Sequence, residues 1–271
     1  MKALRKYIDK IKPGFQEGGK YSKFRSTFDA FETFLFVPDK VTHKGAHIRD
    51  GVDLKRTMSI VVIATLPALL FGMWNVGYQH FLSIGQEMSI FQNFWYGFIK
   101  VLPIIVVSYV SGLGVEFIFA QIRNHEVNEG FLVSGILIPL IMPVDVPLWI
   151  VAVATVFAVI FGKEVFGGTG MNIFNPALLA RAFVFFAYPS KISGDLVWTS
   201  GLTDGTKVVD GFSGATPMAN AASNMVDKLP SDLTLFIGNI PGSIGETSKL
   251  AILIGAVILL DRKSTRLNSS H

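Results

Sequence analysis

Residues 210–216 read Asp-Gly-Phe-Ser-Gly-Ala-Thr and form a short polar segment, the attachment string, between strongly hydrophobic stretches. A threonine hydroxyl in a loop of small residues can become a phosphoester. The glycines at 211 and 214 let the active site of a modifying enzyme approach the backbone. Thr216 is therefore the candidate acceptor. The alternative is an ordinary surface turn, because Asp-Gly and Ser-Gly are common turn dipeptides.

The attachment string resembles the recognition pattern of the Mg2+-dependent flavin transferase, Asp-Gly-x-Ser-Gly-Ala-Thr, and every fixed position of that pattern is present. The resemblance implies FMN esterified at Thr216. It also implies that the transferase reads Asp210, while Ser213, Gly214 and Ala215 shape the loop. The expected product is a covalent flavoprotein with a phosphothreonine ester.

A second glycine-rich segment, the glycine string, covers residues 166–177. Its glycines permit close approach of the backbone to a ligand, and Asn-Pro-Ala at 175–177 can start a helix whose N–H groups point at an anion or carbonyl. Gly167, Gly168 and Asn172 are the candidate cofactor-binding residues. A helix–helix contact through small residues explains the same segment equally well.

Four charged residues lie inside or beside hydrophobic stretches: Glu116, Lys163, Glu164 and Arg181. A charge in a membrane is costly, so each is a candidate for function. Glu116 could bind or relay a cation, and Arg181 could hold an oxygen of a flavin or quinone. The alternatives are a snorkelling end and an intramembrane ion pair, and for Lys163 snorkelling is the favoured interpretation.

Composition indicates a polytopic membrane protein, because 50% of the residues are hydrophobic, only 16% are charged and the mean hydropathy is +0.47. The absence of cysteine excludes disulfides and cysteine-held iron–sulfur clusters from this chain, so redox chemistry needs an organic cofactor. His125 and Glu126 suit a solvated turn, and no metal site is predicted. Of the 24 Lys and Arg residues, 13 lie within residues 1–56. This distribution indicates a membrane surface rather than a nucleic acid as partner.

These candidate residues need membrane helices to position them. The sequence predicts an all-α fold with about five to six spans, some of them broken or half helices. The segment at 130–142 contains Gly135 and Pro139, with Pro143 and Pro147 just beyond, so it is predicted as a broken or re-entrant helix that could line a site. The predicted spans are residues 57–77, 97–122, 130–142, 148–162, 172–188 and, cut short, 250–260.

Orientation follows from the Lys and Arg residues that flank each span. The basic region 1–56 is expected in the cytoplasm, and residues 78–95 contain no Lys or Arg, as expected for an outside loop. Arg123 and Lys163 then lie inside. The loop at 189–233 is therefore predicted to be periplasmic and to carry Thr216, where an exported transferase could reach it.

Several strings in order make the chain resemble the NqrB/RnfD family of membrane subunits, which belong to the Na+-translocating NADH:quinone oxidoreductase and, more distantly, to the Rnf electron-transport complex. The resemblance covers essentially residues 1–260. The strings lie at residues 47–50, 52–56, 125–131, 163–170, 182–189, 192–198, 210–216 and 236–246.

The resemblance implies a multi-pass subunit of a bacterial inner-membrane translocase, the Na+-transporting NADH:ubiquinone reductase. Electrons would pass from covalent FMN through noncovalent riboflavin to a quinone such as ubiquinone or menaquinone, coupled to Na+ export. Implied partners are the other members of a six-subunit complex, the flavin transferase and membrane lipid, with no nucleic acid. The family's quinone region maps near Gly112 and Glu116, where a Gly-Gly pair of the family is replaced by Gly112-Leu113.

The sequence after residue 260 is expected to be foreign. Residues 261–271 interrupt the sixth span and resemble a translated sequencing adapter, although a genuine polar tail is the alternative. The expected organisation is a basic region at 1–56, an incomplete transmembrane domain at 57–260 and this artefact.

Two other functions fit parts of the sequence. A transporter or channel would use the Gly- and Pro-rich segments to line a substrate path. An assembly subunit without a redox role would use its loops to dock partners. Both leave the attachment string unexplained, and covalent flavin separates them from the electron carrier.

Overall fold

The computed structural model describes residues 2–15, 21, 28, 32, 54–123, 130–205, 208–210 and 212–267, and these contain helices and no strand. The predicted all-α class is thereby confirmed. The α-helices are α1 (Lys2–Ile11), α2 (Leu54–Ser83), α3 (Ile90–Arg123), α4 (Phe131–Leu140), α5 (Leu148–Gly162), α6 (Pro176–Ala187), α7 (Pro217–Ala222), α8 (Asp232–Ile237) and α9 (Lys249–Leu267).

Three helical stretches are long and apolar enough to cross a membrane, and two shorter apolar helices, α4 and α6, accompany them. The protein is thus a multi-pass helical membrane protein. Each predicted span corresponds to a helix, but the ends differ: α2 continues to Ser83, α3 already begins at Ile90, and α9 runs on to Leu267. The long stretches are Thr57–Ser83, Ile90–Arg123 and Leu148–Phe166.

Helices α2 and α3 run antiparallel with their backbones in close contact. Gly77 lies against the backbone of Asn93, and Gly97 lies against the backbone of Met73, so a β-carbon at either glycine would overlap the opposing chain. Small residues permit this approach in membrane helices. The pairing defines two ends of the bundle: the Ser83 end, where α2 stops and α3 starts, and the Arg123 end.

The connection between α4 and α5 is the predicted break. Helix α4 has only 10 residues, about 15 Å at 1.5 Å per residue, which is half of a hydrocarbon core. Its terminal carbonyls are nevertheless satisfied, because the Gly245 amide donates to Leu140 O at 2.7 Å and the Ile244 amide donates to Met142 O at 3.3 Å. Irregular backbone at membrane depth requires partners of this kind.

The core lies where α3, α4, α5 and α6 meet. Its side chains are aliphatic apart from Phe131, and small residues on α5 and α6 let these helices pack closely. This packing holds the α4–α5 break in a fixed position between the bundle and the loops at the Ser83 end. Fully buried members include Val101, Ile104, Phe131, Ile138, Met142, Ile150, Val151, Ala154, Ala158, Val159, Ala180 and Val184.

Candidate functional site

The attachment string lies at the Ser83 end of the bundle. The Val209 amide, just before the string, donates to Ser83 O at 3.0 Å, which ties the string to the end of α2. Asp210 and Ser213 are exposed, whereas Gly214 and Ala215 are buried. The string therefore presents alternating accessible and anchored residues, as a loop must that is both held in place and open to another protein. Gly211 lies outside the described residues.

Thr216 is the N-cap of α7, and its side chain is half-buried. Its Oγ1 accepts a hydrogen bond from the Ala219 amide at 3.2 Å, and Pro217 fills the first helical position. Ser213 Oγ accepts from the Ala215 amide at 3.2 Å. An ester oxygen at Thr216 could still accept the capping bond, so this local structure is compatible with a phosphoester.

Gly214 rests on a second loop, residues 195–205, which we name the supporting loop. A β-carbon at Gly214 would overlap the carbonyl oxygen of Asp195 and would lie 2.9 Å from Leu202 Cδ1. Only glycine fits at this distance. The small residues of the attachment string thus have a packing reason in addition to the recognition pattern.

The supporting loop is held by Asp145, which comes from the α4–α5 break. The Gly201 amide donates to Asp145 Oδ2 at 2.6 Å, and the Ser200 hydroxyl donates to Oδ1 at 3.0 Å. Thr203 Oγ1 adds a longer bond of 3.4 Å, and Lys100 Nζ lies 3.9 Å from Oδ1. The Asp145 side chain is only 8% exposed.

The sequence reasoning missed Asp145. The signal was available, since Asp145 is the only charged residue between 130 and 162 and lies between two prolines. Its partners could not be read from the sequence, because the Ser200 and Gly201 contacts span 55 and 56 residues.

An aromatic pair closes the other side of Ser200. The rings of His80 and Tyr96 stack with centroids 4.2 Å apart. His80 Nδ1 lies 2.8 Å from Ser200 O, and Nδ1 must carry the proton because its partner is a carbonyl. Tyr96 OH lies 3.2 Å from Ser200 Oγ. Helices α2 and α3 therefore also grip the supporting loop.

The glycine string lies near the Arg123 end. Gly167 and Gly168 have φ of 112° and 100°, conformations that favour glycine, and the Gly168 amide donates to Lys163 O at 3.1 Å. A β-carbon on Gly168 would meet nothing within 4 Å. The backbone there is therefore open rather than packed against a helix, which favours the cofactor interpretation over a helix–helix contact within this chain.

Asn172 holds the turn of the glycine string. Its Oδ1 accepts from the Gly170 amide at 3.3 Å, and its Nδ2 donates to Phe174 O at 3.1 Å. Asn175 then caps α6, accepting from the Ala177 amide at 2.9 Å. The prediction that Asn-Pro-Ala starts a helix is confirmed.

Glu116 and Lys163 form a buried ion pair between α3 and the end of α5. Each residue is 4% exposed, so the favoured interpretation of Lys163 as a snorkelling side chain is wrong. The physical reason is the carboxylate opposite, which offers Lys163 a charged partner inside the bundle. Next to this pair, Arg123 contacts Glu164 Oε2 at 3.3 Å and donates to Glu164 O at 2.7 Å.

Gly112 lies one turn from Glu116 and packs directly on the Phe131 ring, where a β-carbon would overlap the ring. Arg181 donates to the carbonyl of Ile141 and to Ser243 Oγ at 3.0 Å, and its guanidinium lies 3.2 Å from Glu246 Oε1. Arg181 therefore ties α6 to the α4–α5 break and to the segment before α9. It lies with neither the attachment string nor the glycine string.

Within the parts of the chain that the structure describes, no three His, Asp or Glu side chains form a cluster that could hold a metal ion. His125 and Glu126 lie outside the described residues, as do residues 47–53.

Comparison with known proteins follows the same order of segments. The model of the NQR2, RnfD, RnfE family matches residues 41–269, a range that includes both candidate strings. The chain belongs to the NQR2, RnfD, RnfE family.

Three relatives of this family member carry the name of a Na(+)-translocating NADH-quinone reductase, each as its NqrB subunit. The one from Ectopseudomonas mendocina is 45% identical over 287 residues, covering 96% of this chain and 69% of the relative. The one from Stutzerimonas stutzeri is 44% identical with the same coverage. The one from Chromohalobacter salexigens is 45% identical over 281 residues, covering 95% of this chain and 66% of the relative. The chain thus spans about two thirds of their length.

In this member of the NQR2, RnfD, RnfE family, the candidate residues form two groups at opposite ends of the bundle. Asp210, Ser213, Gly214, Ala215 and Thr216 lie at the Ser83 end. Gly167, Gly168 and Asn172 lie at the other end, beside the buried pair that contains Glu116. A carrier that moves electrons across a membrane needs sites at both ends, and this arrangement supplies two.

Proposed function

We propose that the chain is a membrane subunit of a Na+-translocating NADH:quinone reductase and carries electrons through an FMN esterified at Thr216 and a noncovalent riboflavin to a quinone. The observation that carries the proposal is the attachment string, complete in a member of this family and ending in an accessible threonine. Na+ export would be coupled to the electron flow in the whole complex.

The residues at the Ser83 end fit a covalent FMN. Thr216 supplies the ester oxygen, exposed Asp210 and Ser213 are available to a transferase, and buried Gly214 and Ala215 fix the loop. When bound, FMN supplies reversible one- and two-electron transfer. The protein's part is to hold this group at one end of the bundle, with Thr216 kept in register by the capping bond from Ala219.

The glycine string is the proposed riboflavin region. Gly167 and Gly168 expose backbone that an isoalloxazine ring could approach, and Asn172 fixes the turn. Arg181 remains a proposed flavin contact only if it exchanges its present partners. Gly112 and Glu116 are the proposed quinone region.

The proposed orientation has residues 1–56 in the cytoplasm and the loop at 189–233, with Thr216, in the periplasm of a bacterial inner membrane. The basic N-terminal region and the uncharged flanks of residues 78–95 support it. NADH oxidation is assigned to partner subunits, because the chain has no cysteine to hold an iron–sulfur cluster.

The test is mass spectrometry of the Thr216 peptide after expression with a matching flavin transferase. The wild-type peptide should carry the FMN phosphoester increment. Thr216→Ala removes both the acceptor and the helix cap, which alone is worth about 1 kcal/mol. Thr216→Asn is the matched control, since asparagine caps a helix well but has no hydroxyl to esterify.

Both variants should insert into the membrane and lose flavin fluorescence on a denaturing gel. Flavin retained by Thr216→Asn would show that Thr216 is not the acceptor. An unmodified wild-type chain, with the transferase active on a control substrate, would favour a transporter or an assembly subunit.

A further inference from the structure

We infer that Asp145 is a positioning residue for flavin attachment: its buried carboxylate anchors the supporting loop, and the supporting loop holds the attachment string in the form that the transferase reads. This inference rests on the proposed esterification of Thr216. It adds a residue 71 positions away in the sequence that touches neither the acceptor nor the recognition pattern.

Asp145 belongs to an irregular segment that the bundle holds rigidly. Its neighbours Val144 and Val146 are buried, and the adjoining backbone is bonded to residues 244 and 245. The carboxylate is 8% exposed and cannot rely on water for its hydrogen bonds. It depends instead on protein donors, which makes the geometry around it specific.

Those donors all come from the supporting loop. The Gly201 amide, the Ser200 hydroxyl and Thr203 Oγ1 converge on the two carboxylate oxygens at 2.6, 3.0 and 3.4 Å. Bonds to an ionised acceptor are stronger than bonds between neutral groups. One side chain therefore fixes three of four consecutive residues.

The supporting loop in turn carries the attachment string. Leu202 is flanked by the bonded residues 201 and 203, and its Cδ1 lies directly under Gly214. The Asp195 carbonyl touches the same glycine. If the supporting loop shifts, Gly214 loses its packing surface, and Thr216 lies two residues further along.

The surroundings of Asp145 indicate an anchor and not a cation site. Lys100 Nζ lies 3.9 Å away, and the other close atoms are donors whose hydrogens point at the carboxylate. A bound cation would be repelled by both. The carboxylate is thus occupied as a hydrogen-bond acceptor.

The experiment measures the rate of FMN attachment to the full chain in membranes, with limiting transferase, from in-gel flavin fluorescence normalised to inserted protein. Asp145→Ala leaves three donors without an acceptor and should slow attachment about tenfold, the scale expected for losing charge-assisted hydrogen bonds. Asp145→Asn keeps one acceptor oxygen and should lie between Asp145→Ala and wild type. The matched control is Asp227→Asn, the same change at an exposed acid beyond α7, which should attach FMN at the wild-type rate.

A coupling measurement separates anchoring from general damage. Ser200→Ala should slow attachment in the wild-type background but add nothing in the Asp145→Ala background, because the bond is already absent. If Asp145→Ala fails to insert, Ser200→Ala and Thr203→Val remove two of the donors singly, and each should slow attachment partly.

The outcomes distinguish the two proposals. Wild-type rates in the Asp145 and Ser200 variants, with FMN on the wild-type chain, overturn the positioning role alone. Additive effects of Asp145→Ala and Ser200→Ala also overturn it. A wild-type chain without FMN overturns the proposed function and this inference together.

Discussion

Gly112 and Gly114 are two residues apart on α3 and have opposite surroundings. A β-carbon at Gly112 would overlap the buried Phe131 ring, whereas a β-carbon at Gly114 would meet nothing within 4 Å. Gly112→Ala should therefore destabilise the protein by about 1–3 kcal/mol through overpacking. Gly114→Ala should leave stability unchanged or raise it slightly, because alanine is the better helix former. Thermal unfolding in detergent measures both.

Combining Gly112→Ala with Phe131→Leu tests the cause. The smaller side chain makes room for the new methyl group, so the double variant should lose less stability than the sum of the single changes. Equal stability of Gly112→Ala and Gly114→Ala would contradict the packing explanation. Gly112 would then be better explained by the quinone role that the family resemblance implies.

The residue-level predictions from sequence succeeded where the signal is local. The cap at Asn175 follows from three adjacent residues, and the structure has it. Lys163 was misjudged because its partner, Glu116, lies 47 residues away on another helix. Asp145 was missed for the same reason. A buried charge can be found in a sequence, but the group that stabilises it depends on the tertiary fold.

Between elements, the Glu116–Lys163 pair links α3 to the end of α5. Lys163→Met would leave a buried carboxylate without its cation, a change that typically costs about 3–5 kcal/mol. Glu116→Gln combined with Lys163→Met removes both charges and should be more stable than Lys163→Met alone. A double-mutant cycle of thermal unfolding in detergent gives the coupling.

An exposed pair on the same molecule provides the comparison. Arg5 and Asp9 lie on the surface of α1, with their charged atoms 3.1 Å apart. Asp9→Asn should change stability by less than about 1 kcal/mol, as for other surface pairs. If Lys163→Met were as mild as Asp9→Asn, the buried pair would not be what holds α3 to α5.

Helix existence was predictable because uninterrupted apolar length is a strong signal, and the positions of the spans are confirmed. Helix ends were harder to predict. Helix α2 passes the predicted stop at residue 77 because its polar last turn has partners: His80 contacts Ser200 O, and the Ser83 hydroxyl donates to His80 O at 2.6 Å. Polar residues that look like a loop in the sequence continue a helix once the fold satisfies them.

For the whole molecule, the two candidate regions lie at opposite ends of a bundle whose α2–α3 pair is long enough to cross the hydrocarbon region. Each end also has its own polar anchor, Asp145 with Ser200 at one and Glu116 with Lys163 at the other. Electron transfer between flavins at the two ends would be transmembrane by construction. The orientation of the bundle therefore decides the direction of the proposed electron path.

That orientation can be measured directly because the chain has no cysteine of its own. Met218 in α7 is 80% exposed beside Thr216, and Tyr7 in α1 is 64% exposed. In whole cells with a permeabilised outer membrane, a membrane-impermeant maleimide should label Met218→Cys. Tyr7→Cys should be labelled only after the inner membrane is opened, because the basic N-terminal region stays in the cytoplasm. Labelling of Tyr7→Cys alone in intact cells would reverse the orientation and remove the attachment string from the reach of an exported transferase. Denatured samples of both variants, labelled to completion, provide the control for expression.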